Sequence, residues 1–192
     1  MTVIGADFPR ILDEAKSGDK SALEAIYRDV APLVLGYLRS TGAFDPEDVT
    51  SEVFVSMMRG IKSFDGDESH FRSWILTITH RRLTDAIRKA GRRREDPVPV
   101  DELGERMVVL TDSESQAMAR LRSRGVLDAL DQLTDDQRAV LMLRVLADLS
   151  VPEISAIVDK PETAVKALLR RGLASLNRLL EGQEHEGEPA DG

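Results

Sequence analysis

The residues of this chain best suited to binding a partner lie in a basic segment between positions 71 and 95. This segment carries eight Lys and Arg residues against two acidic ones, whereas the whole chain has a formal net charge of −8. On a helix that turns about 100° per residue, hydroxyl and guanidinium groups of this segment fall on one stripe. Such a stripe suits a phosphate backbone and base edges, although a solvated helix face has the same composition. The basic stripe consists of Thr77, Arg81, Thr84 and Arg88, and Arg92 would extend it.

Two aromatic residues, Phe71 and Trp74, stand at the head of the basic stripe. A ring beside cationic groups can stack on an unpaired base, which favours a nucleic-acid site. Core packing is the alternative interpretation, above all for Phe71. The opposite side of the predicted helix is apolar enough to anchor it to a core. These anchoring residues are Ile75, Ile78, Leu83 and Ile87.

From Phe71 to Arg88 the sequence reads F-R-x-W-I-x-x-I-x-H-R-R-x-x-D-x-x-R. This pattern resembles the segment of extracytoplasmic-function (group 4) RNA polymerase sigma factors, within the sigma-70 family, that recognises and melts the promoter −10 element. The resemblance implies that this helix and the loop before it engage −10 DNA and hold an extruded non-template base. A pocket and a stacking surface must then offset the cost of unstacking that base. The implied −10 residues are His70, Trp74, Thr77, Arg81, Thr84 and Arg88, together with the loop 63–70.

A second set of candidate DNA-binding residues lies near the C-terminus, on a predicted helix-turn-helix. Capping boxes at Thr134 and Ser150 each predict the start of a helix. A tight turn at 158–161 then leads into a longer helix, although short helical hairpins are common and the pattern alone is weak. The apolar stripe of the longer helix comprises Val165, Leu169, Leu173, Leu176 and Leu180. Its outward face, which suits a major groove and the flanking phosphates, comprises Thr163, Lys166, Ala167, Arg170 and Arg171.

The segments around this motif resemble the C-terminal, −35-reading domain of the same sigma family. They read L-T-x-x-Q-R-x-V-L-x-L-R from Leu133, L-S-x-x-E-I from Leu149 and P-x-x-x-V-K from Pro161. The sequence departs from the family pattern in two places. Asp159 replaces the usual turn glycine and must adopt φ > 0, which Asp tolerates at modest cost. Leu168 replaces a common arginine, so one phosphate contact implied by the family is absent.

A third candidate surface is acidic and lies on a helix predicted to start after Asp45 and to end near Lys62. The segment 45–58 resembles the family segment that binds the clamp helices of the polymerase largest subunit. Asp48 and Glu52 are four residues apart and project together as an acidic pair, with apolar residues nearby. The helix macrodipole also favours acids in a first turn, so this assignment depends on the resemblance. The implied polymerase-binding residues are Asp48, Glu52, Val53 and Phe54.

The composition limits the other classes of function. The chain has 192 residues, 42% of them hydrophobic, and no Cys, so disulfides and thiolate metal sites are excluded. Three scattered His residues make a poor metal set, and we expect no cofactor. A Gly-rich phosphate loop and an activated nucleophile are also missing, which argues against an enzyme. No apolar run is long enough to span a membrane and no leader pattern is visible, so we expect a cytoplasmic protein.

The predicted fold is all-α, because strand-like alternation never persists. An early helix is predicted around Lys20 to Arg39, with Pro32 able to distort it. The predicted domains are a region 2 bundle at 10–95, a flexible linker at 96–112, a region 4 helix-turn-helix at 113–181 and a disordered acidic tail at 182–192.

The resemblance therefore implies an alternative sigma factor that binds core RNA polymerase and directs initiation at −10 and −35 elements. Its implied partners are the polymerase clamp, promoter DNA and an anti-sigma factor held between the two domains. Two rival functions remain from the residues alone. One is a stand-alone regulator that uses only the helix-turn-helix, and the other is a helical interaction protein whose basic helix pairs with an acidic partner.

Overall fold

The computed structural model describes residues 4–93 and 129–186, and every regular element in these two ranges is helical. The predicted all-α fold is confirmed. Short 3₁₀ turns at Gly5–Asp7 and Ile61–Ser63 flank the first and third helices. The helices are α1 (Phe8–Lys16), α2 (Lys20–Ser40), α3 (Pro46–Gly60), α4 (Glu68–Arg93), α5 (Asp135–Ala147), α6 (Val151–Val158) and α7 (Glu162–Glu186).

Local capping explains where the helices of the first half begin. The Asp19 side chain accepts a hydrogen bond from Ala22 N at 2.8 Å, which starts α2. The Asp45 side chain does the same for Asp48 N at 2.9 Å, with Pro46 in the first turn of α3, as predicted. Each such cap stabilises a helix by about 1 kcal/mol. Pro32 lies inside α2 without ending it.

The first helix, α1, was not predicted from the sequence. Its buried residues Phe8, Leu12 and Ala15 follow four- and three-residue spacing, and a proline stands in its first turn. This periodicity is the signal that could have identified it. Helix α1 packs on α2, and the Phe8 ring lies 5.5 Å from that of Phe71 on α4, so this helix closes one side of the bundle.

A buried charged cluster ties the N-terminal segment, α2 and α4 together. Arg72 Nη2 donates to Asp29 Oδ2 at 2.7 Å and to Glu68 Oε1 at 3.1 Å, with the Arg72 and Asp29 side chains only 9% and 3% exposed. The Glu68 carboxylate also accepts hydrogen bonds from Ile4 N and Gly5 N at 3.1 and 2.8 Å. Burial raises the pKa of Asp29, and its ion pair with Arg72 opposes that shift.

The second half contains the predicted helix-turn-helix. Thr134 and Ser150 both form complete capping boxes, with Gln137 and Glu153 as their partners. Asp159 adopts the left-handed conformation with φ of 52°, as its place in the turn requires. Asp148 also has a left-handed φ, of 50°, at the end of α5, and this position was not predicted.

Helix α7 differs from its prediction in two respects. It continues to Glu186, whereas the sequence predicted a disordered tail from Gly182 onward. Leu173 is 48% exposed although it belongs to the predicted apolar stripe, because the buried side of α7 is centred on Val165. Gly172 allows close packing on α5, since a Cβ there would lie 2.8 Å from Leu141 Cδ1.

The two halves pack against each other in this structure. Helix α2 contacts α5, helix α4 contacts α6, and the buried residues of both halves form one continuous hydrophobic cluster. Arg138 of α5 is 7% exposed, and its Nη1 lies 3.2 Å from the position that a Cβ on Gly42 would take. The predicted linker at 96–112 lies outside the described residues. This contact between the halves was not predicted from the sequence.

Candidate nucleic-acid interface

The basic stripe lies on α4 with its charged groups outward. Arg81 and Arg88 are exposed, whereas Thr77 and Thr84 are partly buried. The two threonine hydroxyls donate to the carbonyls one turn earlier, Thr77 to Ser73 O at 2.8 Å and Thr84 to His80 O at 2.9 Å. Their oxygens keep acceptor capacity, while the arginines supply the charge that a phosphate requires.

The predicted anchoring face of α4 is buried along most of its length. Ile75 and Leu83 are buried and Ile78 is partly buried. Ile87, however, is 46% exposed, so the prediction that it anchors the helix is wrong. Asp85 and Lys89 are exposed as well, because the last turns of α4 project past the core.

Trp74 belongs to an aromatic cluster at the start of the basic stripe. Its ring centroid lies 5.1 Å from that of Phe64 and 5.5 Å from that of Phe71. Phe71 is fully packed, as its core interpretation predicted, whereas Trp74 is partly buried. The indole also lies against Gly60, where an added Cβ would be 2.8 Å from Cζ2. One edge of the indole is therefore fixed by the core while part of the ring remains accessible.

His70 lies at the exposed N-terminal end of α4. Its backbone N donates to Asp67 Oδ1 at 2.9 Å, and its Nδ1 lies 2.8 Å from the same oxygen. The hydrogen bond from the His70 backbone is the main reason that the pKa of Asp67 is lowered. These bonds order the end of the loop 63–70 and hold the imidazole beside the aromatic cluster.

Three residues of the basic stripe, Arg81, Thr84 and Arg88, also line a partly open cleft of about 510 Å³ between α4 and α6, and both arginines remain exposed. At the head of the stripe, Ser73 Oγ donates to Glu153 Oε1 at 3.1 Å. Neither residue was a candidate from the sequence, since their contact joins positions 80 residues apart. The cleft is lined on one side by His80, Arg81, Thr84, Asp85 and Arg88, and on the other by Ala156, Ile157, Val158 and Asp159.

The predicted −35 face lies along the outer side of α7. Thr163, Lys166, Arg170 and Arg171 are exposed, and Ala167 is partly buried. Lys166 Nζ lies 3.5 Å from Glu162 Oε2, an exposed pair that a phosphate could readily replace. Leu168, the departure from the family pattern, is partly buried and packs against the hydrophobic core.

The acidic candidate surface on α3 is only partly accessible. Asp48 and Glu52 are exposed, and Glu52 Oε2 lies 3.9 Å from Arg82 Nη1. Phe54 is partly buried, with its ring centroid 4.5 Å from that of Tyr27. Val53 is fully buried, so it packs α3 against the bundle and does not contribute contact area to a partner.

Neither a metal-binding cluster nor a membrane-spanning helix occurs in the described residues. Within 4–93 and 129–186, no group of three or more His, Cys, Asp or Glu residues could hold a metal ion. In the same ranges, no helix is both long and apolar enough to cross a membrane.

Comparison with known proteins connects both halves to one family. The family described as "Sigma-70 region 2" matches residues 24–93, and "Sigma-70, region 4" matches residues 123–176. The ECF RNA polymerase sigma factor BldN of Streptomyces coelicolor is 30% identical over 172 residues, which are 88% of this chain and 64% of that protein. The ECF RNA polymerase sigma factor SigK of Mycobacterium tuberculosis is 28% identical over 184 residues, 93% of this chain and 96% of that protein.

Two solved structures share the fold across both halves. CnrH in complex with the cytosolic domain of CnrY superposes with a TM-score of 0.61 at 23% identity, covering 90% of this chain and 96% of that chain. The sigma factor RpoE of Bartonella quintana, in complex with the anti-sigma factor NepR, superposes with a TM-score of 0.67 at 20% identity. The match covers 82% of this chain and 96% of that chain.

Proposed function

This chain belongs to the extracytoplasmic-function group of the sigma-70 family, and we propose that it acts as an alternative sigma factor that brings core RNA polymerase to −10 and −35 promoter elements. The observation that carries this proposal is the presence of both family regions, in family order, on one helical chain. A stand-alone helix-turn-helix regulator would not need the region 2 bundle, so that rival is not favoured.

The −10 element is bound by α4. Arg81 and Arg88 provide guanidinium groups for phosphates, and the partly accessible Trp74 ring provides a stacking surface beside His70. Thr84 contributes a hydroxyl oxygen between the two arginines, and Thr77 contributes one a turn before Arg81. The aromatic cluster supports Trp74 from behind, so the ring is ordered before DNA arrives and little conformational entropy is lost on binding.

The −35 element is bound by α7, the second helix of the helix-turn-helix. Thr163, Lys166 and Ala167 lie on its first turns, where such helices contact base edges in a major groove. Arg170 and Arg171 lie one turn further and suit flanking phosphates. The two helices that precede α7 both start at a capping box, α5 at Thr134 and α6 at Ser150. These fixed starts keep the DNA-facing side of α7 in a defined orientation.

Core polymerase is bound by α3 through Asp48 and Glu52, with the partly buried Phe54 of the same helix as an apolar contact. Val53 is excluded from this surface by its burial. We also propose an anti-sigma partner, because CnrH and RpoE, which share this fold, were both solved in complex with another protein. The protein is proposed to act without catalytic activity of its own, in the cytoplasm.

Run-off transcription with core polymerase on a random promoter library tests this function. Wild-type protein should give promoter-specific products, and Arg81→Ala with Arg88→Ala should reduce open-complex formation about tenfold or more, as expected for loss of two DNA contacts. The control is Arg10→Ala with Arg28→Ala, which removes the same charge from exposed ion pairs on α1 and α2. Absence of any specific product from the wild type would refute the function, and equal activity of both double variants would refute the role of α4.

A further inference from the structure

Residues 4–16, called the N-terminal segment below, contact the helix that is proposed to bind −10 DNA. They lie outside the matched family region, which begins at residue 24. We propose that the N-terminal segment is a positioning element for the −10 site: it holds the start of α4 and the Trp74 ring in the orientation that an extruded base requires. This inference rests on the proposed function, since it takes His70, Trp74 and the loop 63–70 to be the −10 site.

The first contact between the N-terminal segment and the −10 site is made by Glu68, the first residue of α4. Its Oε1 accepts a hydrogen bond from Ile4 N at 3.1 Å, and its Oε2 accepts one from Gly5 N at 2.8 Å. The Glu68 side chain is only 16% exposed, so water competes little for these bonds. Hydrogen bonds to a carboxylate are stronger than those between neutral groups. The backbone of the N-terminal segment therefore holds the start of α4, two residues before His70.

The second contact is a series of aromatic rings that leads from α1 to Trp74. Phe8, the first residue of α1, is 3% exposed, and its ring centroid lies 5.5 Å from that of Phe71. The Phe71 ring lies 5.5 Å from Trp74 and 5.1 Å from Phe64, which also packs on the indole. Because a close-packed interior leaves side chains few alternative positions, the Phe8 ring restricts Phe71, and Phe71 restricts Trp74.

The third contact is made at the other end of the loop 63–70. Helix α1 packs against the 3₁₀ turn Ile61–Ser63, from which this loop starts. The N-terminal segment therefore supports the loop at both ends, at the 3₁₀ turn and at Glu68. A binding site keeps its geometry only when the residues behind it are themselves fixed.

The energetics of base extrusion explain why this support affects function. Unstacking a base costs free energy, which the stacking surface has to offset. If Trp74 first had to be ordered, part of the binding free energy would be lost as conformational entropy. Residues that do not contact DNA can therefore change the yield of open complexes.

Two matched pairs of substitutions in the full-length protein test the proposal. Ile4→Pro removes the backbone donor to Glu68, and the φ of −60° at this position is one that proline adopts. Its control, Ile4→Ala, removes the same side chain but keeps the donor. Phe8→Leu removes the ring beside Phe71, and its control, Leu12→Val, shortens a buried aliphatic residue of the same helix.

Trp74 is the single tryptophan of the chain, so its emission reports directly on the −10 site. Acrylamide quenching of the free, folded protein should be stronger in Ile4→Pro and Phe8→Leu than in their controls. A purely structural role would lower the unfolding midpoint in urea but leave quenching of the native protein unchanged.

The effect on DNA is measured with core polymerase and a promoter that carries 2-aminopurine in the non-template strand of the −10 element. The fluorescence of 2-aminopurine rises when the base leaves the stack. Ile4→Pro and Phe8→Leu should each give about fivefold fewer open complexes than the matched control, the loss expected for one hydrogen bond or one aromatic contact. Affinity for core polymerase, which is proposed to bind α3, should be the same in all four variants.

Two results would overturn the inference while leaving the proposed function intact: Trp74 quenching that is equal within both pairs, or yields of open complex that are equal within both pairs. A wild-type protein that gives no promoter-specific open complex with core polymerase would instead refute the proposed function, and the −10 role of the N-terminal segment with it.

Discussion

At the scale of single residues, Leu168 has a role that the family pattern did not indicate. The pattern places an arginine there, and its loss implied a missing phosphate contact. In the structure the Leu168 side chain is partly buried and packs against the core. Its contribution is therefore to hold α7 in place, and the DNA-facing residues lie beside it on the exposed side of the same helix.

Replacement of Leu168 by Arg should lower the free energy of unfolding by about 1–3 kcal/mol, because the guanidinium must leave the core or disturb it. Urea unfolding followed by circular dichroism measures the change. Ala174→Arg, at an exposed position on the same helix, should change stability by less than about 0.5 kcal/mol. If Leu168→Arg kept its stability and bound a −35 duplex more tightly, the side chain at this position would face DNA instead.

The backbone of Gly60 does not itself require a glycine, because its φ of −98° is open to any residue. The requirement comes from the Trp74 ring, which approaches Gly60 too closely to leave room for a side chain. Gly60→Ala places a Cβ 2.8 Å from Cζ2 of a rigid indole ring. We expect a loss of about 1–3 kcal/mol in stability and a shifted emission of Trp74, the single tryptophan of the chain. Gly172→Ala meets the buried side chain of Leu141 on α5, so it should also lower the stability but leave the Trp74 emission unchanged. An unshifted emission in Gly60→Ala would contradict the proposed contact.

At the scale of helices, the buried pair of Asp29 and Arg72 joins α2 to α4. Two charges placed in the core must be matched, and here Glu68 and the N-terminal backbone complete the cluster. This arrangement fixes the register of α4, and with it the direction in which the basic stripe points. The stripe's geometry therefore depends on residues that do not contact DNA.

Removal of one partner of this pair should be more harmful than removal of both. Arg72→Met leaves the Asp29 carboxylate buried without its cation and should cost about 3–5 kcal/mol, whereas Asp29→Leu with Arg72→Met should cost less than that single change. Equilibrium unfolding in urea measures both. Arg28→Met, which breaks the exposed pair with Glu24, should cost less than about 1 kcal/mol. If the double variant were less stable than Arg72→Met, the pair would stabilise the fold by more than cancelling each other's buried charge.

At the scale of the whole molecule, His80 lies where the two halves meet. Burial lowers its pKa from the ordinary value of 6.5, Asp136 opposes this shift, and Lys160 adds to it. A neutral imidazole is therefore favoured in the folded protein, and protonation disfavours the packed state. The charged and titratable groups around it are Tyr37, Arg81, Asp85, Arg88, Asp136, Asp159 and Lys160.

Because the folded pKa of His80 lies below its unfolded value, the unfolded chain binds the proton more tightly. The stability that depends on neutral His80 should be complete above pH 6.5 and should be lost as the pH falls from there through the folded pKa. Unfolding free energies between pH 7.5 and pH 5.5 measure this loss. His80→Gln should remove this part of the pH dependence, whereas His70→Gln, at an exposed position, should retain it. The same slope in wild type and His80→Gln would assign the effect to other groups.

The sequence by itself determined the secondary structure and the family. Capping boxes, prolines in first turns and apolar periodicity are local signals, so α2 to α6 could be predicted from neighbouring residues. The left-handed turn at Asp159 was predicted from the family resemblance, in which a glycine usually stands at this position. Helix α1 also has apolar periodicity and a proline in its first turn, although it was not predicted. The end of α7 at Glu186 has no such local signal. The family motifs then identified candidate surfaces, because they preserve residue type and spacing within a single helix.

Only the tertiary structure decided which of those residues are accessible. Val53 and Leu168 belong to the core side of their helices, Ile87 is exposed, and Ser73 meets Glu153 across 80 positions of sequence. Helical periodicity gives the face on which a residue lies, but it does not say what covers that face. Coverage depends on contacts between distant segments, and here such contacts place α6 beside the helix α4 that the sequence assigned to DNA.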